Sequence, residues 1–203
     1  MLKIKKTQYM LATVILTTSS ISMAKEISYN YIQGAYISST VDTDTTAGDL
    51  DSNGVILSGS FSVSSAIAIT TGYTTASFDK FFGLDIDTTI LAFGVTAHAS
   101  ISPDADIFGN FSVLSGNIEL SDGFNSLDDD DTGNRFGVGL RYSASNNTEL
   151  ELEFSRTDIF DEANNSFSAG VIFYTSNKFS LGASYATSDD SDSLFLKARF
   201  DIK

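Results

Sequence analysis

The chain of 203 residues contains no cysteine, no tryptophan, one proline and one histidine. Without cysteine there is no disulfide, no thiolate metal site and no cysteine nucleophile. Positive charge is also scarce, because 12 Lys and Arg stand against 26 Asp and Glu, which gives a formal net charge of -14. A protein that binds nucleic acid by neutralising phosphates needs the opposite balance, so nucleic acid is excluded as a partner.

Long apolar runs are missing as well. Beyond residue 24 no segment reaches the roughly 20 apolar residues of a membrane-spanning helix. The first 24 residues differ from the rest, because three lysines precede an apolar stretch at 10–16 and small residues follow at 22–24. This order predicts an export signal peptide that is cleaved after Ala24, with residues 25–203 forming one domain.

In the remaining sequence, apolar residues alternate with polar or small residues in many short segments. Phe136, Val138, Leu140 and Tyr142 alternate with glycine, serine and arginine, and similar short segments recur along the chain. A period of two predicts β-strands, and the sequence has the aromatic and hydroxyl residues that strands favour. The ten predicted strands cover about residues 27–39, 55–64, 67–78, 88–100, 107–118, 134–143, 148–157, 166–175, 179–187 and 194–202. Eight strands, with two segments forming loop hairpins, remain an alternative.

The predicted connections fall into two classes. Those after the even-numbered strands are short, whereas those after the odd-numbered strands are longer and hold most of the acidic residues. Such alternation predicts an antiparallel up-and-down meander whose two ends face different environments. The longer, acidic connections are expected at 40–54, 79–87, 119–132, 158–165 and 188–193.

The segment Tyr-Asn-Tyr-Ile-Gln-Gly-Ala-Tyr at 29–36 resembles the first strand of the small outer-membrane β-barrel proteins of Gram-negative bacteria. The resemblance implies an all-β, antiparallel up-and-down transmembrane β-barrel in the bacterial outer membrane. It also implies a monomer whose partners are outer-membrane lipid, lipopolysaccharide and the outer-membrane assembly machinery. Such barrels usually end on an aromatic residue, whereas here Phe200 stands three residues before Lys203.

In a membrane barrel the apolar faces look outward and the polar faces line the lumen. A soluble lipocalin-like barrel or a sandwich would bury the apolar faces instead. Opposite charges that pair inside a small barrel would fill its lumen, whereas a less filled lumen would be a narrow pore. Parity predicts an inward charge network of Arg135, Arg141, Glu149, Glu151, Glu153, Lys197 and Arg199.

Enzymatic patterns are weak. Outer-membrane aspartyl-type proteases need carboxylates and a histidine at the outer rim, but His98 lies late in a strand that runs towards the periplasm. His98 and Ser100 share a face, which faintly resembles a lipid A deacylase, although parity directs them away from lipid. We therefore expect no catalytic residues and no enzyme.

Two other segments suggest ligands at the outer rim. Asp49, Asp51 and Asn53 match the start of a calcium loop, but its terminal glutamate is missing, so we expect weak calcium or magnesium binding or plain solvated acid. The run 128–131 is a second acidic cluster. Arg156 is directed outward near a strand end, where its guanidinium could reach a lipopolysaccharide phosphate.

The combined features predict a non-enzymatic outer-membrane barrel with acidic surface loops and a structural, adhesive or surface-interaction role. The alternative is a narrow passive diffusion pore of the porin type.

Overall fold

A computed structural model describes residues 26–43, 48–81 and 83–202. The described chain is all-β, and none of it forms a helix long and apolar enough to cross a membrane. The predicted signal peptide lies outside the described residues. The strands are β1 (Tyr31–Val41), β2 (Leu50–Ser62), β3 (Ile67–Phe81), β4 (Leu84–Ser102), β5 (Ala105–Ser121), β6 (Ser126–Ser145), β7 (Thr148–Ile159), β8 (Glu162–Tyr174), β9 (Phe179–Ser188) and β10 (Ser191–Asp201).

These ten strands form one closed antiparallel barrel. Each strand pairs with its neighbours in sequence, and β1 closes the sheet against β10 with Tyr31 opposite Asp201. The count of ten is therefore confirmed against the alternative of eight. Closure gives every strand a hydrogen-bonded neighbour on both sides, which is what a sheet in a bilayer requires.

The outward face of the barrel is an apolar band. Phe93, for example, is 64% exposed, although water would disfavour this much exposure of so many large apolar side chains. The alternation of the strands places polar and charged residues on the opposite, inward face. The outward band includes Ile32, Tyr36, Val55, Leu57, Phe61, Tyr73, Leu91, Phe93, Val113, Phe136, Leu152, Phe154, Phe167, Leu181, Tyr185 and Leu196.

The strands extend further than the sequence predicts. β6 begins at Ser126 and β5 ends at Ser121, so only residues 122–125 connect them, where a loop over 119–132 was expected. Likewise only 160–161 separate β7 from β8, and only 189–190 separate β9 from β10. Where both faces of a strand are polar, the period of two disappears from the sequence, although the backbone ladder still continues. Much of the acidic surface is thus strand and not loop.

Residues 27–30 are the second difference, because the prediction places them in the first strand. They form no strand and precede β1. Tyr29 in this segment is only 6% exposed and packs with Ala68, Phe108 and Ile27. The segment therefore bends into the barrel instead of extending its wall.

Candidate functional site

The lumen contains a ladder of ion pairs, and its most buried member joins β6 to β7. Arg141 Nε donates to Glu149 Oε1 at 2.7 Å, and each side chain is 3% exposed. Glu149 also accepts a hydrogen bond from Tyr174 Oη at 3.1 Å, and Arg199 Nη1 lies 3.9 Å from Glu149 Oε1. Burial of an unpaired carboxylate would be costly, so one carboxylate with three partners is a stable arrangement.

Two further pairs extend the ladder along the lumen. Lys197 Nζ lies 3.5 Å from Glu151 Oε2, and Arg135 Nη2 lies 3.0 Å from Glu153 Oε1. Glu153 also accepts a hydrogen bond from Asn110 Nδ2 at 3.2 Å. All seven charged residues assigned to the lumen by parity are thus brought together inside the barrel.

Two glycines of β6 make room for this ladder. A Cβ at Gly137 would lie 2.6 Å from Glu153 Oε1 and 2.7 Å from Asn110 Oδ1. A Cβ at Gly139 would collide with the ring of Phe108 and with the backbone oxygen of Leu152. The two inward glycines between Arg135 and Arg141 therefore let the neighbouring strands direct their side chains across the lumen.

Tyr29 closes the lumen at the end where both termini lie. Its ring stacks on His98 with a centroid distance of 3.6 Å. Arg141 on β6 approaches the same ring, with Cζ 4.7 Å from the ring centre. Ser60 Oγ donates to Tyr29 O at 2.7 Å, and Arg141 Nη1 donates to Ser28 O at 2.9 Å. We call residues 26–30 with these contacts the N-terminal plug.

The sequence alone did not identify this plug. Tyr29 and Tyr31 share a parity, so the alternation looks the same whether residue 29 belongs to the wall or bends over the lumen. The position of Tyr29 depends on the space available inside the closed barrel, where the small, fully buried Ala68 on β3 packs beside the ring. Asn30 anchors the bend, because its Oδ1 accepts the backbone N–H of Ser62 at 2.7 Å.

Beyond the plug the lumen holds a cavity of about 470 Å³. Hydroxyl and amide groups such as Ser58, Thr74, Asn110 and Ser112 line it together with the charge ladder. The cavity suits water or a small polar solute, but Tyr29 and Arg141 stand at its closed end.

His98 belongs to the plug contacts. Its Nδ1 lies 3.9 Å from Asp106 Oδ2, and its ring is covered by Tyr29 inside the barrel. Ser100 pairs with Asp106 across β4 and β5 and also faces inward. Neither residue lies at the opposite rim or on the lipid-facing surface, where the two enzymatic alternatives would need them.

The proposed calcium segment does not form a loop. Asp51 and Asn53 lie in β2, where successive side chains on one face are about 7 Å apart, so they do not wrap one ion. Thr40 Oγ1 donates to Asp51 Oδ1 at 2.7 Å, and Tyr36 Oη donates to Asn53 Oδ1 at 2.5 Å. Among the described residues no group of three acidic or histidine side chains is arranged to hold a metal. Weak cation binding at this edge, Asp49 included, stays a prediction.

The acidic run 128–131 is divided between two faces of β6. Asp128 and Asp130 point outward, and Asp130 Oδ1 accepts a hydrogen bond from Asn117 Nδ2 at 3.0 Å. Asp131 points inward and accepts the backbone N–H of Phe160. The run is therefore a strand with two different acidic surfaces.

The connection between β5 and β6 presents an aromatic residue. Phe124 is 96% exposed, and Leu127 beside it is 70% exposed. Asp122 Oδ1 accepts the backbone N–H groups of Asn125 at 2.7 Å and Phe124 at 2.8 Å, and these bonds lower the pKa of the Asp122 carboxyl. The tip is thus an ordered turn that projects a large apolar side chain.

Arg156 points outward from β7, beyond Phe154 on the same face. Its Nη1 donates to Asn165 Oδ1 at 3.3 Å. Asn165 is itself oriented by Asp189 Oδ2, which accepts from its backbone N at 3.0 Å and its Nδ2 at 3.2 Å.

Comparison with known proteins identifies matches at the level of the domain and the fold. The family model described as an outer membrane protein beta-barrel domain matches residues 10–186. The comparison with curated proteins finds no match. The chain is similar to the transport unit of the autotransporter AIDA-I from Escherichia coli, at 10% identity and TM-score 0.55, over 91% of this chain and 93% of that one.

Two more solved structures are similar. One is the translocator domain of the autotransporter NalP from Neisseria meningitidis, at 8% identity and TM-score 0.54, over 89% of this chain and 91% of that one. The other is Ail, the attachment invasion locus protein of Yersinia pestis, at 15% identity and TM-score 0.49, over 85% of this chain and 100% of that one. At these identities the likeness concerns the fold alone.

Proposed function

The chain belongs to the family of outer-membrane protein β-barrel domains, and from this premise we propose that it is a non-enzymatic barrel whose role is interaction at the cell surface. The family supports a location in the outer membrane of a bacterium. The finer assignment rests on one observation, which is the tall wall that β4, β5 and β6 build on the side away from the termini.

The height of this wall follows from strand length. β4, β5 and β6 have 19, 17 and 20 residues, whereas β9 and β10 have 10 and 11. A transmembrane strand needs only about 9–11 residues. At about 3.3 Å per residue, the surplus extends roughly 20–30 Å along the strands beyond the membrane span. A wall of this height is unnecessary for spanning the membrane but suits contact with a partner outside the cell.

The outward surface of the wall is acidic. Asp87 lies opposite Glu119, and Glu119 lies opposite Asp128, so three carboxylates stand side by side on neighbouring strands. Directly opposed like charges destabilise a sheet. A partner with basic groups would relieve this repulsion, and the exposed ring of Phe124 at the tip offers it an apolar anchor.

The lumen supports a surface role better than transport. The ladder of ion pairs crosses it, and Tyr29 blocks one end. The polar cavity of about 470 Å³ is the observation that favours the alternative, a narrow diffusion pore. Steady conductance of the full chain in planar bilayers distinguishes the two, since a blocked lumen passes no steady ion current.

The surface role has its own test. Laboratory Escherichia coli cells that display the full chain should attach to a cultured epithelial monolayer more than cells with an empty vector. Phe124→Ser should reduce the attachment several-fold, since interface hot spots are often exposed aromatic anchors. Ile101→Ser is the matched control, because Ile101 is 59% exposed near the opposite end of β4. Equal attachment of all strains would contradict the proposal.

The remaining partners are also part of this proposal. We expect a monomer that the outer-membrane assembly machinery inserts after cleavage of the signal peptide. Because Phe200 lies on the outward face of β10, it is the aromatic residue that the machinery would meet.

A further inference from the structure

A groove crosses the lipid-facing surface of β4 to β8, with a volume of about 660 Å³. Its floor is made by small residues, Ala97 and Ala99 on β4 and Gly109 on β5. An ideal Cβ on Gly109 would approach only the backbone oxygen of Gly137, at 3.8 Å. Leu152, Phe154 and Phe167 are among the larger side chains at its far side.

The position of the groove restricts what can fill it. It opens on the apolar outward band, where the neighbouring molecules in a membrane are lipids. The register places Ala97 opposite Gly109, Gly109 opposite Val138, and Val138 opposite Phe154. The groove therefore follows the register across several strands and has the length and apolar character that an acyl chain needs.

A cation lies just beyond the groove on β7. On the outward face of β7, Leu152 and Phe154 are followed by Arg156 and then by Asp158. Arg156 is thus two residues, about 7 Å, from Phe154 and marks the change from apolar band to acidic wall. With both termini on the periplasmic side, as in barrels of this kind, this boundary lies at the headgroups of the outer leaflet.

The guanidinium of Arg156 is positioned without being neutralised. It donates a hydrogen bond to the neutral amide of Asn165, which Asp189 holds in place. Within the described residues no carboxylate forms an ion pair with Arg156, unlike Arg135 and Arg141 in the lumen. A cation at this depth favours an anionic headgroup, and a guanidinium suits a phosphate because it can donate two parallel hydrogen bonds.

We propose that Arg156 and the groove together form a binding site for one lipopolysaccharide molecule. The guanidinium binds a lipid A phosphate, and one acyl chain of the same molecule lies in the groove over Gly109. The hydrophobic effect does not drive packing in the groove, since lipid tails are as apolar as the barrel wall. The phosphate contact therefore supplies the selectivity, and the groove supplies the fit. This proposal is independent of what the acidic wall binds.

The test uses the full mature chain, refolded in detergent and freed of lipid. Purified lipopolysaccharide is added back, and bound molecules are counted by native mass spectrometry as a function of concentration. Arg156→Gln should weaken binding about tenfold or more, as expected for loss of a charge-assisted hydrogen bond. Arg156→Lys should keep part of the affinity. Gly109→Leu, which fills the groove from its open side, should weaken binding as well.

Three comparisons make the result decisive. Lys178→Gln removes the same charge at the opposite rim and should leave binding unchanged. Lipid A without its phosphates should bind the native chain and Arg156→Gln equally, and phosphatidylglycerol should bind less tightly than lipopolysaccharide. Gel mobility in cold SDS verifies that each variant is a folded barrel. Equal lipopolysaccharide binding by the native chain and Arg156→Gln, or equal loss in Lys178→Gln, would overturn the proposal. Phosphatidylglycerol binding as tight as lipopolysaccharide would overturn it too.

Discussion

The guanidinium of Arg141 lies over the ring of Tyr29, with Cζ 4.7 Å from the ring centre. The same side chain donates to Glu149 at 2.7 Å and to the backbone oxygen of Ser28 at 2.9 Å. One residue of the wall therefore belongs to both the charge ladder and the N-terminal plug. Because the two features share Arg141, the contacts of the plug and of the most buried ion pair form one connected set at this end of the lumen.

Arg141→Ala should destabilise the barrel strongly. The change leaves Glu149 buried with weaker compensation, which costs about 3–5 kcal/mol for a broken buried pair. Glu149→Gln in the same background should restore part of the loss, because it removes the uncompensated charge. The measurement is the temperature at which cold-SDS gel mobility changes to that of the unfolded chain.

Arg135→Ala is the matched control for this prediction. Arg135 also pairs with a glutamate of β7, but its side chain is 44% exposed. Exposed ion pairs contribute about 0–1 kcal/mol, so this variant should melt close to the native chain. If both arginine variants lose the same stability, burial is not what makes the Arg141 pair important.

Tyr29→Ala should open the lumen. Removal of the ring leaves a gap between His98 and Arg141 at the closed end of the cavity, and it costs roughly 3 kcal/mol as a large-to-small change in a buried site. Planar bilayers containing the variant should show steady conductance steps that the native chain lacks. Tyr36→Ala is the control, since Tyr36 lies on the outward face and is 46% exposed. A silent Tyr29→Ala barrel would mean that the ladder alone blocks the lumen.

Gly133→Ala should lower stability by about 1–3 kcal/mol through overpacking. A Cβ there would collide with the backbone oxygen of Asp158 and with Ile159 across β6 and β7, and neither strand can move without loss of its ladder. Gly34→Ala makes the same change on β1 where nothing lies within 4 Å, so it should leave the melting temperature unchanged or raise it slightly. The two variants are compared by the same gel assay.

The sequence predicts the wall of the barrel well and its interior only in part. Parity placed Arg141 and Glu149 on one face because a strand alternates strictly, and ten alternating segments indicated ten strands, with eight as the alternative. Parity alone does not decide whether Glu149 or Glu151 is the partner of Arg141. Glu151 lies directly opposite Arg141 in the register, yet the guanidinium bonds to Glu149, which is two residues nearer the turn. Close to this point the register of β6 and β7 shifts between Ser143 and Ser145.

The ends of the strands in the outer wall were harder to predict than the strands themselves. Between 128 and 133 the sequence is polar on both faces, so no alternation distinguishes strand from loop. Pairing with β5 keeps this segment extended, as the match of Leu120 with Leu127 shows. The contacts of Tyr29 and Arg156 are harder still to predict from sequence, because they involve side chains that become neighbours only after the barrel has closed.

The last prediction concerns acid at the tip of the wall. Asp122 accepts the backbone N–H groups of Asn125 and Phe124, and these bonds favour the carboxylate, so its pKa lies below the usual value of about 3.9. A depressed pKa means that the contribution of Asp122 to the turn is present above the ordinary pKa. This contribution is lost as the pH falls through the lowered pKa. The display of Phe124 should therefore be insensitive to pH near neutrality and should fail only in strong acid.

The measurement is the carboxyl carbon chemical shift of Asp122 in the folded barrel, followed from pH 6 to pH 2 by NMR alongside the amide signals of Phe124 and Asn125. A free peptide covering 119–127 supplies the unfolded reference. The folded midpoint should lie below that of the peptide, and both amide signals should move with it. In Asp122→Asn the amide oxygen still accepts these bonds but does not titrate, so the pH dependence of the amide signals should vanish. A folded midpoint at or above that of the peptide would mean that Asp122 does not hold the turn.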